Sequence, residues 1–195
     1  MRIVRALAPP VLVVAVAVAV GTSAFAAGPA EQGQVKSALR SAHFAGLEGL
    51  RHPAPDALVD ALDSPYYAEH FAPDVSAARL VKGSVTSQTQ VWLIPGRDSV
   101  CLYLRQGVGG GASCQPNSEA AAGRLLLSWT EPGEGVSLVA GVIPDGVGSV
   151  ELGGTSARTV EVDSNVYVAT TDADLASFVD GQDRPQQITI PRPSK

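Results

Sequence analysis

The chain reads as an α+β protein: short N-terminal helices packed on a mostly antiparallel β-sheet, or on a small β-sandwich, of six to seven strands. Three observations predict this. Residues 27–82 carry apolar side chains at helical spacing, interrupted by proline and glycine. From about Ser84 onward, short β-branched runs alternate with turn residues. Aromatics make up only 5% of the chain, so the core must be built from Val, Leu and Ala.

Residues 1–26 have the pattern of an export signal. Arg2 and Arg5 form a basic start, residues 11–20 are an unbroken Val/Leu/Ala run, and Ala24-Phe25-Ala26 is a small-x-small cleavage pattern. Cleavage between Ala26 and Ala27 would leave one globular domain, 27–195: a helical part at 27–82, a β-rich part at 83–170 and a C-terminal extension at 171–195. The competing expectation is a retained membrane anchor, because residues 7–27 carry no charge over 21 positions. Pro9 and Pro10 shorten the stretch able to form regular helix. No cysteine stands beside the cleavage site to carry a lipid, and no second long apolar run provides a transmembrane span in the mature chain.

The helical part divides at its breakers. Val35, Ala38, Leu39 and Ala42 predict an amphipathic helix over about 33–44, ended by Gly46 and Gly49. Pro55 introduces a second helix with Ala57, Leu58, Ala61 and Leu62 on one face, since proline in the first turn loses no needed donor. Ser64-Pro65 repeats the device for a turn through Tyr66, Tyr67 and Phe71. Asp74 is placed to cap a last helical turn over 75–80.

The strands follow. Residues 85–94 favour strand, Pro95-Gly96-Arg97-Asp98 a turn, and 99–105 a second strand with Val100, Leu102 and Leu104 on one face and Cys101, Tyr103 and Arg105 on the other. Residues 107–113 read as a flexible glycine loop. Residues 125–129 form a third strand, and 136–143 is apolar enough for a central one. Pro144-Asp145-Gly146 is a turn. Residues 149–152 and 158–162 alternate across Gly153-Gly154 as a hairpin, and Asp163-Ser164-Asn165 turns the chain into a strand at 166–169.

Charge and motifs restrict the chemistry. Without residues 1–26, which hold two arginines and no acid, the chain has 169 residues with 12 basic and 19 acidic side chains, a formal charge of −7. A polyanion such as nucleic acid would be repelled. Cys101 and Cys114, the only cysteines, are expected to pair outside the cytoplasm, and their spacing suits neither a C-x-x-C redox pair nor a zinc knuckle. Gly107 to Ala112 matches G-x-G-x-x-A, but Pro116 opposes the helix that a dinucleotide site needs. His43, His52 and His70 lie at no metal-binding spacing. Gly154 to Arg158 fails the G-x-S-x-G pattern at its last position. Asp172, Asp174, Asp180 and Asp183 miss the calcium-loop pattern and read as a solvated acidic face or a helix start at 172–174. Trp92, Trp129, Tyr66, Tyr67 and Tyr103 read as packing rather than as a ligand-stacking surface. No catalytic, cofactor-binding or metal-binding residue is therefore assigned.

Four segments resemble a group of uncharacterised exported actinobacterial proteins. They are Val91-Trp92-Leu93-Ile94-Pro95-Gly96, Val100-Cys101-Leu102 with the later Cys114, Gly141-Val142-Ile143-Pro144-Asp145-Gly146-Val147 and Asp163-Ser164-Asn165-Val166-Tyr167-Val168. The resemblance spans about 90–169 and implies no activity. The expectation is an exported, non-enzymatic cell-envelope or extracellular protein that binds an unknown protein or envelope component. A secreted hydrolase with a dispersed Ser/His/Asp site and a tethered extracytoplasmic sensor are the alternatives.

Overall fold

The computed structural model describes residues 44–84, 86–130, 137–154 and 157–191. The expected first helix up to residue 43, the leader with Ala26 and Ala27, and His43 lie outside the described residues; Phe44, its expected end, is not helical and precedes the 3-10 turn Ala45–Glu48. Within them the chain forms eleven strands in three antiparallel sheets, with three short α-helices: α1 (Asp56–Leu62), α2 (Pro65–His70) and α3 (Asn117–Ala121). The α+β class holds, but the strand number exceeds the six to seven expected.

The first sheet has the order β1 (Arg79–Lys82), β2 (Thr89–Pro95), β3 (Ser99–Gln106) and β4 (Gly109–Pro116). The second is β5 (Leu126–Trp129), β6 (Ser137–Val142) and β9 (Val166–Thr171). The third runs β11 (Pro185–Thr189), β10 (Leu175–Val179), β7 (Ser149–Gly153) and β8 (Arg158–Glu161). The chain thus leaves the second sheet after β6, builds the β7–β8 hairpin in the third, returns as β9, and leaves again as β10 and β11.

The second sheet is sandwiched between the other two. Val139, Tyr167 and Ala169 pack with Val150, Leu152, Ala176, Phe178 and Ile188 of the third sheet. Their neighbours Ala140, Val142 and Val166 pack with Val91, Leu93, Leu102 and Leu104 of the first. Alternate residues of one strand point to opposite faces, so a sheet covered on both sides needs apolar residues at every position. This explains the nearly unbroken apolar run of β6.

The first sheet is also covered on its outer face. Cys101, Tyr103, Trp92 and Ile94 are buried there beneath Leu58 and Leu62 of α1. Pro55 precedes α1, and the i, i+4 pair Leu58 and Leu62 turns inward. Burying such a leucine contributes about 1.5–3 kcal/mol. Ser64 caps α2 by accepting the Tyr67 N–H at 3.3 Å, with Pro65 in the first turn.

Four sequence expectations are corrected. Residues 107–113 are not a loop, since β4 begins at Gly109 and pairs residue for residue with β3. The turn after Asp74 is a short 3-10 helix, Val75–Ala77, and β1 follows where more helix was expected. The acidic segment at 172–174 starts no helix but leads into β10. The C-terminal extension supplies β10 and β11 to the third sheet.

Candidate functional site

A cleft of about 490 Å3 lies on the outer helical layer. Three consecutive elements build it. Val59 and Leu62 come from α1, Ala68 from α2, and Ala72, Pro73 and Val75 from the segment entering the 3-10 turn. Asp63 and Ser64, at the α1–α2 junction, supply its polar lining. The chain folds this way because Ser64-Pro65 follows the end of α1 and starts a second helix at once. Ala72 takes a left-handed conformation (φ 43°), and its N–H donates to the Tyr67 carbonyl at 2.9 Å, turning the chain out of α2. Leu62 is buried, whereas Val59 is 40% exposed.

Beside the cleft, α2 carries an aromatic group. Tyr66 is 58% exposed and stacks on His70 with ring centres 4.6 Å apart. His70 Nδ1 lies 3.0 Å from the Tyr66 carbonyl, which only accepts, so Nδ1 carries the proton. Tyr67 instead turns inward, and its hydroxyl donates to the Ala112 carbonyl on the outer edge of β4 at 3.0 Å.

The other sequence candidates are placed apart. Cys101 and Cys114 form a disulfide between directly paired residues of β3 and β4, both buried, with Cα atoms 4.0 Å apart. They therefore pin two strands together, rather than a loop to a strand. His52 meets Trp92 edge-on at 6.3 Å. No hydrogen bond from His52 or His70 to a serine or aspartate, and no cluster of metal-ligating side chains, is found among the described residues. The glycines at the start of β4 serve packing: a Cβ on Gly109 would lie 2.6 Å from Trp129 Cη2, and one on Gly110 would lie 2.7 Å from Tyr103 Oη. Of the aspartates, Asp180 is engaged within the β10–β11 hairpin. It accepts from the Gln182 and Arg184 N–H groups and from the Arg184 guanidinium.

One polar cluster escaped sequence reasoning. Asn165 is buried between the second sheet and the 3-10 turn Ala45–Glu48. Its amide donates to the Ile143 carbonyl at 3.0 Å and to Asp145 Oδ1 at 2.8 Å, and its oxygen accepts the Gly46 N–H at 2.7 Å. Asp145 Oδ1 also accepts the Ala45 N–H at 2.9 Å. Every bond in this cluster is internal, so its role is to tie the N-terminal segment to two turns. Comparison of the chain with family models, with curated proteins and with solved structures found no match.

Proposed function

We propose that this chain is an exported, non-enzymatic cell-envelope or extracellular protein that works by binding a partner through the α1–α2 face. The observation that carries this reading is the cleft, which combines a mainly apolar lining with partly exposed Val59 and a polar end at Asp63 and Ser64. Binding sites are typically concave and apolar with few polar groups to set orientation. Cys101–Cys114, which suits an oxidising compartment, and the export-like pattern of residues 1–26 support the location.

The test is photo-crosslinking in the cells that make the protein. A crosslinking residue at Ala68 is compared with one at Val179, which is 56% exposed on the third sheet. Discrete adducts at Ala68 and none at Val179 are expected. Equal labelling at both positions would remove the cleft as a binding site. Intact mass of the exported protein tests the leader, with Ala27 expected as the first residue.

A further inference from the structure

Between Arg51 and Arg79 the chain carries Asp56, Asp60, Asp63, Glu69 and Asp74 and no lysine or arginine. This segment is the layer that builds the cleft. All five acids are exposed. Ion pairs among the described residues join Lys82 to Asp163, Arg124 to Glu119 and Arg184 to Asp180, and of the five acids Asp74 feels a nearby guanidinium, that of Arg79. Their placement follows helix geometry. Positions 56, 59, 60 and 63 fall on one face of α1, which sets Asp56, Asp60 and Asp63 around Val59. Asp74 stands between Pro73 and Val75 at the other end of the lining. The only arginine with a hydrogen bond to α2 or its C-cap among the described residues is Arg97, through its backbone N–H to the Phe71 carbonyl at 2.7 Å.

An apolar cleft with Asp63 in its lining, built by a segment without lysine or arginine, favours one kind of occupant. A neutral apolar ligand would gain nothing from that negative charge, and an anionic one would be repelled by it. A cation flanking an apolar anchor is attracted by it while the anchor fills the cleft. Resting on the reading of this face as a docking surface, we infer that the α1–α2 cleft takes a cationic polypeptide segment. A small aliphatic side chain enters among Val59, Leu62, Ala68 and Val75, and flanking lysines or arginines face Asp60 and Asp63. A volume of about 490 Å3 is too small for a folded element, so the occupant is a short stretch of chain.

The experiment titrates the exported protein with a labelled lysine–leucine peptide of about 12 residues and with its glutamate–leucine counterpart. Anisotropy is read at about 50 mM and about 300 mM salt. Saturable binding of the lysine peptide alone, weakened at the higher salt, is expected. Reversing Asp60→Lys with Asp63→Lys should weaken it roughly tenfold or more. Ala68→Trp, which fills the cleft, should weaken it without changing charge. Glu151→Lys with Glu161→Lys makes the same charge change on the exposed side of the third sheet and should leave binding within about twofold, at separations screened by salt. Circular dichroism confirms that each variant is folded. Equal binding of both peptides overturns the cationic preference; if Ala68→Trp then abolishes both, the docking face itself stands. Equal weakening by the third-sheet variant overturns it too, because attraction would then be diffuse. Binding of neither peptide also overturns it, while crosslinking at Ala68 decides the broader reading independently.

Discussion

Asn165 and Asp145, twenty positions apart, meet at 2.8 Å through the Asn165 amide and Asp145 Oδ1, and together hold the backbone of Ala45 and Gly46. Two turns that read as separate punctuation in the sequence are one hydrogen-bonded clamp. Asn165 suits the position twice over: it tolerates the left-handed backbone (φ 67°) and it offers both a donor and an acceptor.

Asn165→Ala should therefore destabilise the protein by about 3 kcal/mol, since the buried Gly46 N–H and Ile143 carbonyl lose their partners. Asn165→Asp keeps an acceptor but sets a second carboxylate against Asp145, so its cost should grow as pH rises above the carboxylate range. Urea unfolding of both variants at acid and neutral pH measures this. Equal stability of wild type and Asn165→Ala would refute the clamp.

The disulfide closes a loop of sequence separation 13. Cys101→Ala with Cys114→Ala should cost about 3 kcal/mol by loss of that constraint. β3 and β4 remain paired along their whole length, so far-ultraviolet circular dichroism should stay native-like below the unfolding transition. Collapse of the β signal at room temperature would contradict this.

Gly141 and Tyr167 are another close pair. A Cβ on Gly141 would lie 2.3 Å from Tyr167 Cε1, so Gly141→Ala should cost about 1–3 kcal/mol through overpacking. The Tyr167 hydroxyl is buried without a hydrogen-bond partner, so Tyr167→Phe should be neutral or stabilising by about 1 kcal/mol. Thermal unfolding of the two variants gives the opposite signs.

Burial pushes the Tyr167 phenol up to about 12 from 10.0. The neutral form is the one the fold favours. Its contribution is complete below pH 10 and is lost as pH climbs towards 12, once the unfolded chain ionises first. Burial also pushes the Tyr103 phenol up, so spectrophotometric titration should show fewer tyrosines ionising near the ordinary value in the native protein than in urea.

Asp180 shifts the other way. The Arg184 N–H, then the Arg184 guanidinium, the Gln182 N–H and the Gln186 amide hold its carboxyl at about 2 against 3.8, with desolvation opposing them. The β10–β11 turn should keep its order down to about pH 4 and lose it as pH falls through about 2. Amide exchange at Gln182 and Arg184 reports this directly, and Asp180→Ala should show the same fast exchange at neutral pH.

Local pattern determined much of this protein. β2, β3, β5, β6, β7, β8 and β9 were legible because β-branched runs between turn residues encode strands over a few positions. The starts of α1 and α2 were legible from Pro55 and from Ser64-Pro65. Tertiary structure decided the rest. β4 is a strand because β3 offers a full partner and because Trp129 and Tyr103 need glycine beneath them, whereas glycine itself disfavours strands. β1 is four residues long and takes its form from pairing with β2. The face of Cys101 and Tyr103 is interior only because α1 lies over it. The cleft has no sequence signature, since its lining comes from two helices and a turn that are brought together by packing on the first sheet. Periodicity reports which residues share a face of one element; what lies opposite that face is settled by the rest of the chain.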